Sequence, residues 1–129
     1  MKIVLIHCNL IKPTNIKSVL SNFGQVTEYC NCINAMNEIV NFNIKDVDIV
    51  FIDMMMPGFS GIDISKKIRE FEETKELNKS YIVLMVPHNF KIKNPESIYS
   101  VDKIMEKPIT IEDVENYLKE INLIQEKRD

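Results

Sequence analysis

A chain of 129 residues, 45% hydrophobic and 27% charged, is long enough to bury one core without disulfide or metal staples. Its net charge of −3 at pH 7 argues against a broad nucleic-acid surface, and no apolar run approaches the roughly 20 residues of a membrane-spanning helix. The opening Met1-Lys2-Ile3-Val4-Leu5-Ile6 is too short for a signal peptide. The expectation is one cytoplasmic domain over residues 1–129, with Cys8, Cys30 and Cys32 reduced.

Ile3 to Ile6 is a continuous apolar run, the pattern of a strand buried on both faces. Ile16, Val19, Leu20 and Phe23 then fall at helical spacing, with Gly24 as a stop. Gln25 to Cys30 alternates loosely as a second strand would, and Ile33, Met36, Ile39 and Val40 return to helical spacing. Ile49 to Ile52 is the clearest buried strand; it ends at Asp53, with a Pro57-Gly58 turn beyond it. Gly61 to Phe71 predicts a helix with Ile64, Ile68 and Phe71 on one face. The charged stretch Glu72 to Lys79 is expected to be a solvated helix end or loop. Lys66-Lys67, Arg69-Glu70, Glu72-Glu73 and the terminal Glu126-Lys127-Arg128-Asp129 are expected to be solvated faces of mixed sign.

Tyr81 to Val86 predicts a fourth buried strand, stopped by Pro87. From His88 to Ser100 the periodicity weakens, and Pro95 predicts a helix that is shortened or displaced. Val101 to Glu106 predicts a short fifth strand. Thr110 is a good N-cap for a last helix carrying Val114, Tyr117, Leu118 and Ile121, with Glu112 and Asp113 in its first turn.

Five strands alternating with helices imply an α/β fold with a parallel sheet, both faces covered through right-handed crossovers. Ligand chemistry in such sheets collects at the carboxyl ends of the strands. Those ends carry His7-Cys8, Asp53, Val86-Pro87 and Lys107.

Asp53-Met54-Met55-Met56-Pro57-Gly58-Phe59-Ser60-Gly61 places a carboxylate at the end of a hydrophobic strand, before a Pro-Gly turn and a helix. This resembles the receiver signature of response regulators, and Lys107-Pro108 resembles the family's second signature; the similarity spans essentially the whole chain. The resemblance implies a three-layer flavodoxin-like (βα)5 fold with strand order 2-1-3-4-5. It implies that Asp53 is the phosphoacceptor, attacking a phosphohistidine of a histidine kinase to form an acyl phosphate, and that Lys107 pairs with the phosphoryl group. In the family, an acidic pair at the end of the first strand holds Mg²⁺. A Ser or Thr after the fourth strand binds a phosphoryl oxygen, and an aromatic residue on the fifth strand reports the change.

Three of these helpers are replaced. His7 and Cys8 stand for the acidic pair, Val86 for the hydroxyl residue and Ile104 for the aromatic. Mg²⁺ is left with Asp53, the Met55 carbonyl and water, so only weak binding accompanying phosphorylation is expected. The expected function is an atypical receiver in a two-component phosphorelay, not an enzyme, acting by protein–protein contact with weak or absent phosphorylation of Asp53. The alternatives are an authentic phosphoacceptor receiver, and a thiol or metal sensor built on Cys8, Cys30 and Cys32. The expected partners are a histidine kinase or other signalling proteins, and a second copy through the face of the fifth strand and last helix. No nucleic acid and no membrane are expected to bind. Pro57, Gly58, Gly61 and Pro108 are read as turn residues, the Met54-Met55-Met56 run as packing, and His88 as a solvated loop residue.

Overall fold

The computed structural model describes residues 1–7, 15–30, 37–38, 46–56, 59–94 and 98–124. The chain runs β1 (Lys2–Ile6), α1 (Ile16–Ser21), β2 (Gln25–Tyr29), β3 (Ile49–Asp53), the short pair β4 (Met55–Met56) and β5 (Phe59–Ser60), α2 (Gly61–Thr74), β6 (Tyr81–Val86), β7 (Lys103–Glu106) and α3 (Ile111–Glu120). Strands β2, β1, β3, β6 and β7 lie side by side in that order, all parallel, while β4 and β5 pair only with each other. Counting the five sheet strands alone, this is the order 2-1-3-4-5. Among the described residues, no helix is long and apolar enough to cross a membrane.

Apart from Lys2 and Asp53 at their ends, the central strands β1, β3 and β6 carry no charged residue, because their two faces feed two different layers. Ile3, Leu5, Ile49, Phe51, Val83 and Met85 pack with Ile16 and Leu20 of α1 and with Val114, Tyr117 and Leu118 of α3. Val4, Ile6, Val50, Ile52 and Ile82 face the other way, onto Ile64 and Ile68 of α2. Each such side chain contributes roughly 1.5–3 kcal/mol on burial, so these two layers are the main source of stability. Polar clamps stand where strands begin: Asp48 Oδ2 accepts from Lys2 N at 2.6 Å, and Asp102 Oδ2 from Ile82 N at 2.8 Å.

Several boundaries differ from the sequence reading. Helix α1 stops at Ser21, where the Asn22 amide turns back to donate to the Ser18 and Val19 carbonyls; Phe23 lies beyond the helix and still packs on the core. Strand β7 begins at Lys103 rather than Val101, because Asp102 is turned toward Ile82 and Arg69. From His88 to Ser100 the described residues form turns, bends and irregular backbone without a helix; Pro95 lies outside them. Most of the Ile33-to-Val40 periodicity is also outside the described residues, although Asn37 and Glu38 are helical. Helix α3 starts as expected, with Thr110 and Asp113 forming reciprocal side-chain-to-backbone bonds of 3.1 and 3.0 Å.

The largest correction concerns the charged face of α2, which continues to Thr74. Arg69 and Glu72 are not solvated. Arg69 Nη1 donates to Glu72 Oε1 at 2.8 Å and to the Ser80 carbonyl at 2.7 Å. Its Nε reaches the Ser100 carbonyl at 3.1 Å, and its Nη2 reaches Asp102 Oδ2 at 2.7 Å. Glu72 Oε2 accepts from both the backbone N and the hydroxyl of Ser80, each at 2.8 Å. One guanidinium thus ties α2 to the segments leading into β6 and β7.

On the opposite layer, burial raises the Tyr117 phenol to about 12, helped by the charges of Asp102, Glu120 and Tyr81 and opposed by Arg69. The folded value lies above the ordinary 10.0, so the neutral phenol favours the folded state. That contribution is complete below about pH 10 and is lost as pH rises through about 12. In an alkaline titration followed by tyrosinate absorbance, Tyr117 should ionise last, and Tyr117→Phe should remove the late step. A titration unchanged by that substitution would refute the assignment.

Candidate functional site

Asp53 is the last residue of β3, and the apolar run before it leaves its carboxylate at the rim of the sheet, only 6% exposed. Backbone bonds fix the turn that follows: Met54 N donates to the Met85 carbonyl at 2.9 Å and Gly61 N to the Met54 carbonyl at 2.8 Å. Gly61 is required here by proximity. A Cβ at that position would lie 2.3 Å from the Asp53 carbonyl oxygen, so only a residue without a side chain lets α2 start against β3. Ser60 caps the same helix, its hydroxyl accepting from Asp63 N at 3.1 Å. Pro57 and Gly58, predicted as the turn, lie outside the described residues.

Lys107 comes from two strands away. Its backbone N donates to the Val86 carbonyl at 2.8 Å, holding the exit of β7 against β6, and its Nζ lies 2.7 Å from Asp53 Oδ2. Pro108 follows through a cis peptide bond and leads the chain toward α3. Asp53 and Lys107 open on a cleft of about 610 Å³, whose walls include His7, Asn15, Met85, His88 and Pro108. A nearly buried carboxylate beside an ammonium is a nucleophile positioned next to a group that can neutralise an incoming anion.

The replaced positions sort differently. His7 is buried at the end of β1, its backbone N bonded to the Tyr29 carbonyl and its Nε2 2.6 Å from Glu28 Oε2. Cys8 and Cys32 lie outside the described residues; Cys30 is exposed, with its Sγ 3.9 Å from His7 Nε2. Val86 ends β6 as predicted, but its side chain packs with Met54 and Leu84 on the far face and does not line the cleft. Side chains alternate along a strand, so the cleft receives Met85, and the residue that follows Val86 is Pro87. Neither Val86 nor Pro87 has a side-chain donor. Ile104 packs against the Met54, Leu84 and Val86 group together with Val101 and Ile92.

One participant, Glu28, escaped the sequence reading, and the exposed loop residue His88 has a contact beyond that reading. Glu28 was unremarked in β2, although parallel pairing of Leu5 with Glu28 and Ile6 with Tyr29 puts it beside the end of β1. His88 is exposed but tethered, its Nδ1 2.7 Å from Glu106 Oε1, and it forms part of the cleft wall.

Mg²⁺ prefers an octahedron of hard oxygens. At this site the Asp53 oxygen Oδ2 is held by Lys107, and the β1 side chain is an imidazole already committed to Glu28. Met55 supplies at most a backbone carbonyl, its side chain being exposed. The described donors do not fit a resident Mg²⁺.

Comparison with known proteins adds to this geometry. Residues 12–119 match the family described as response regulator receiver domain. The chain is 31% identical over 77 residues to Histidine kinase 5 of Arabidopsis thaliana, covering 60% of this chain and 8% of that protein. It is 24% identical over 120 residues to hybrid signal transduction histidine kinase L of Dictyostelium discoideum, covering 92% of this chain and 7% of that one. The chain therefore spans less than a tenth of the length of these curated relatives. Among solved structures it resembles a CheY-like response regulator receiver domain from Methylobacillus flagellatus, with TM-score 0.70, 24% identity, and 94% and 98% of the two chains covered. It also resembles the REC domain of AraT, a response regulator from Geobacillus stearothermophilus, with TM-score 0.72, 18% identity, and 95% and 92% covered.

Proposed function

Because this chain belongs to the response regulator receiver domain family, we propose that it serves two-component signalling as an atypical member, acting through contacts with a histidine kinase or other signalling proteins while Asp53 is phosphorylated weakly or not at all. The observation that carries this reading is the state of the cleft around the intact Asp53–Lys107 pair. The β1 end offers an imidazole bonded to Glu28, and the β6 end offers no hydroxyl.

In phosphoryl transfer, an Asp53 oxygen would attack phosphorus as the bond to the donor histidine nitrogen breaks and the imidazole leaves. Lys107 could neutralise one phosphoryl oxygen. Removing a single preorganised donor from such a cradle typically slows a reaction by about 10²–10³. Here both the cation ligands and the hydroxyl are replaced, so transfer to Asp53 is slow. The second reading, an authentic phosphoacceptor, is favoured by the same 2.7 Å pair and the cleft in front of it.

Titration with beryllofluoride and Mg²⁺, followed by amide NMR, separates the two. The atypical reading expects small, unsaturated shifts at Ile104 and Tyr117. A two-state switch needs a ligand that contacts the two states differently, and here there is neither a hydroxyl to draw in nor a ring to rotate. Large saturable shifts there, absent in Asp53→Asn, would restore the ordinary phospho-switch. The same proposal places the chain in the cytoplasm as one signalling domain rather than an enzyme. A second copy could dock on the β7 and α3 face, where Lys103, Glu106, Asp113 and Glu120 border one shallow groove with both signs of charge.

A further inference from the structure

Parallel pairing of β1 with β2 brings three side chains of different donor chemistry to one corner of the sheet. His7, Glu28 and Cys30 each offer a ligand atom, all within 4.8 Å of one another. His7 Nε2 stands 2.6 Å from Glu28 Oε2 and 3.9 Å from Cys30 Sγ. His7 is buried and Cys30 exposed, so the group has a fixed floor and an open mouth. We propose that His7, Glu28 and Cys30 form a site for a divalent cation of the Zn²⁺ class, distinct from the Asp53–Lys107 pair.

Two of the three separations lie within about an ångström of the geometry that Zn²⁺ takes, and the third, Glu28 to Cys30, is within 4.8 Å. A tetrahedral Zn²⁺ with one nitrogen, one oxygen and one sulfur ligand holds those atoms about 3.4–3.6 Å apart. The thiol has to close on the imidazole by a few tenths of an ångström, and the Glu28 carboxylate has to back away by about 0.8 Å to reach that geometry. The backbone under the site is anchored, since Ile6 and Tyr29 are paired and His7 N is bonded to the Tyr29 carbonyl at 3.0 Å.

Donor chemistry selects the ion. An imidazole and a thiolate suit Zn²⁺ and Co²⁺ and disfavour Mg²⁺ and Ca²⁺, which take oxygen. On binding, the Cys30 thiol releases its proton to solvent as the sulfur–metal bond forms, and the hydrogen that His7 Nε2 shares with Glu28 exchanges off through solvent as the nitrogen–metal bond forms, leaving a neutral ring protonated at Nδ1. Glu28 and the thiolate together balance the ion's two charges. Three protein ligands leave the fourth position to water. Lys17, whose Nζ lies 3.8 Å from Glu28 Oε1, is an exposed and distant competitor for that carboxylate.

The full chain, purified without a metal-affinity tag and stripped with a chelator, is titrated with Co²⁺. The expected result is one-to-one binding with a thiolate-to-cobalt charge-transfer band and the visible bands of a tetrahedral ion. Cys30→Ser should abolish the charge-transfer band. Glu28→Gln, which preserves shape, should weaken binding roughly tenfold or more, the scale seen even for groups that only support a ligand. Circular dichroism of both variants controls for folding. Asp53→Asn should bind Co²⁺ like the parent chain, which keeps this test independent of any phosphorylation at that residue. Absence of saturable binding, a charge-transfer band that survives in Cys30→Ser, unchanged affinity in Glu28→Gln, or a tenfold loss in Asp53→Asn would each overturn the proposal.

Discussion

Arg69→Ala lowers the stability of this domain by about 3–5 kcal/mol, the loss typical when one partner of a buried ion pair is removed. Glu72 keeps its bonds to Ser80 but loses the cation that balances it, in a position only 7% exposed. The Ser80 and Ser100 carbonyls lose a donor as well, and Asp102 loses its cation while keeping the Ile82 amide. Urea denaturation measures this as a lower midpoint with an unchanged slope. Replacing Arg69 and Glu72 together by apolar residues of similar volume should recover part of the loss, because the buried Glu72 charge is then gone and the carboxylate left without its cation, Asp102, is 39% exposed. A deficit under about 1 kcal/mol for Arg69→Ala is the signature of a solvated pair, and would show that the network does not clamp the fold.

Gly61→Ala destabilises the domain and disturbs the site at once. In an exposed helix the same change gains roughly 1 kcal/mol in propensity. Here the new Cβ would sit 2.3 Å from the Asp53 carbonyl oxygen and 2.9 Å from both the Asp53 carbonyl carbon and Leu84 Cδ1. Two of those three atoms are backbone in a central strand and cannot rotate away. Helix α2 therefore has to retreat, at an overpacking penalty of about 1–3 kcal/mol that exceeds the propensity gain over most of its range. The amide signals of Asp53, Met54 and Lys107 should shift with it. A variant more stable than the parent, with those signals unmoved, would show that the approach of α2 to β3 is looser than described.

The sheet was legible because its central strands are continuous apolar runs, and the Asp53–Lys107 pair because both residues stand in motifs that resemble the receiver signatures. A short apolar run bounded by a carboxylate and a turn has few other readings, whereas β7 is half charged and Lys107 stands out only through the Lys-Pro pair that follows that strand. Val86 was harder. A strand that is apolar on both faces carries no contrast to show which residue at its end turns into the cleft, and the side chain in fact packs beside Met54. The Arg69–Glu72 clamp is hidden in sequence because it lies within a run of charges that reads as one exposed face. Helical spacing held the correction: Glu72 lies four residues beyond Ile68, which lies four beyond Ile64, on the buried stripe. His7 and Glu28 come from different strands, 21 positions apart, and only the register of β1 against β2 brings them together.

The same lack of contrast has a consequence for how the sheet chooses its alignment. Where one face of a strand is polar, sliding it by one residue exchanges core for solvent and is strongly disfavoured. Strands β1, β3 and β6 bury both faces, so a shifted pairing would still bring isoleucine against valine and leucine in either layer. Hydrophobicity alone distinguishes such alignments weakly. The discrimination falls to the carboxylates at the strand mouths. Asp48 accepts from the first amide of β1, its own amide donates to the Lys2 carbonyl, and its carbonyl accepts from Tyr81 at the head of β6. Asp102 likewise accepts from the Ile82 amide and donates its own amide to the Ile82 carbonyl. Any slip breaks these part-buried bonds and leaves amides unpaired at a cost, so a few acidic side chains act as the ruler against which a nearly featureless interior is measured.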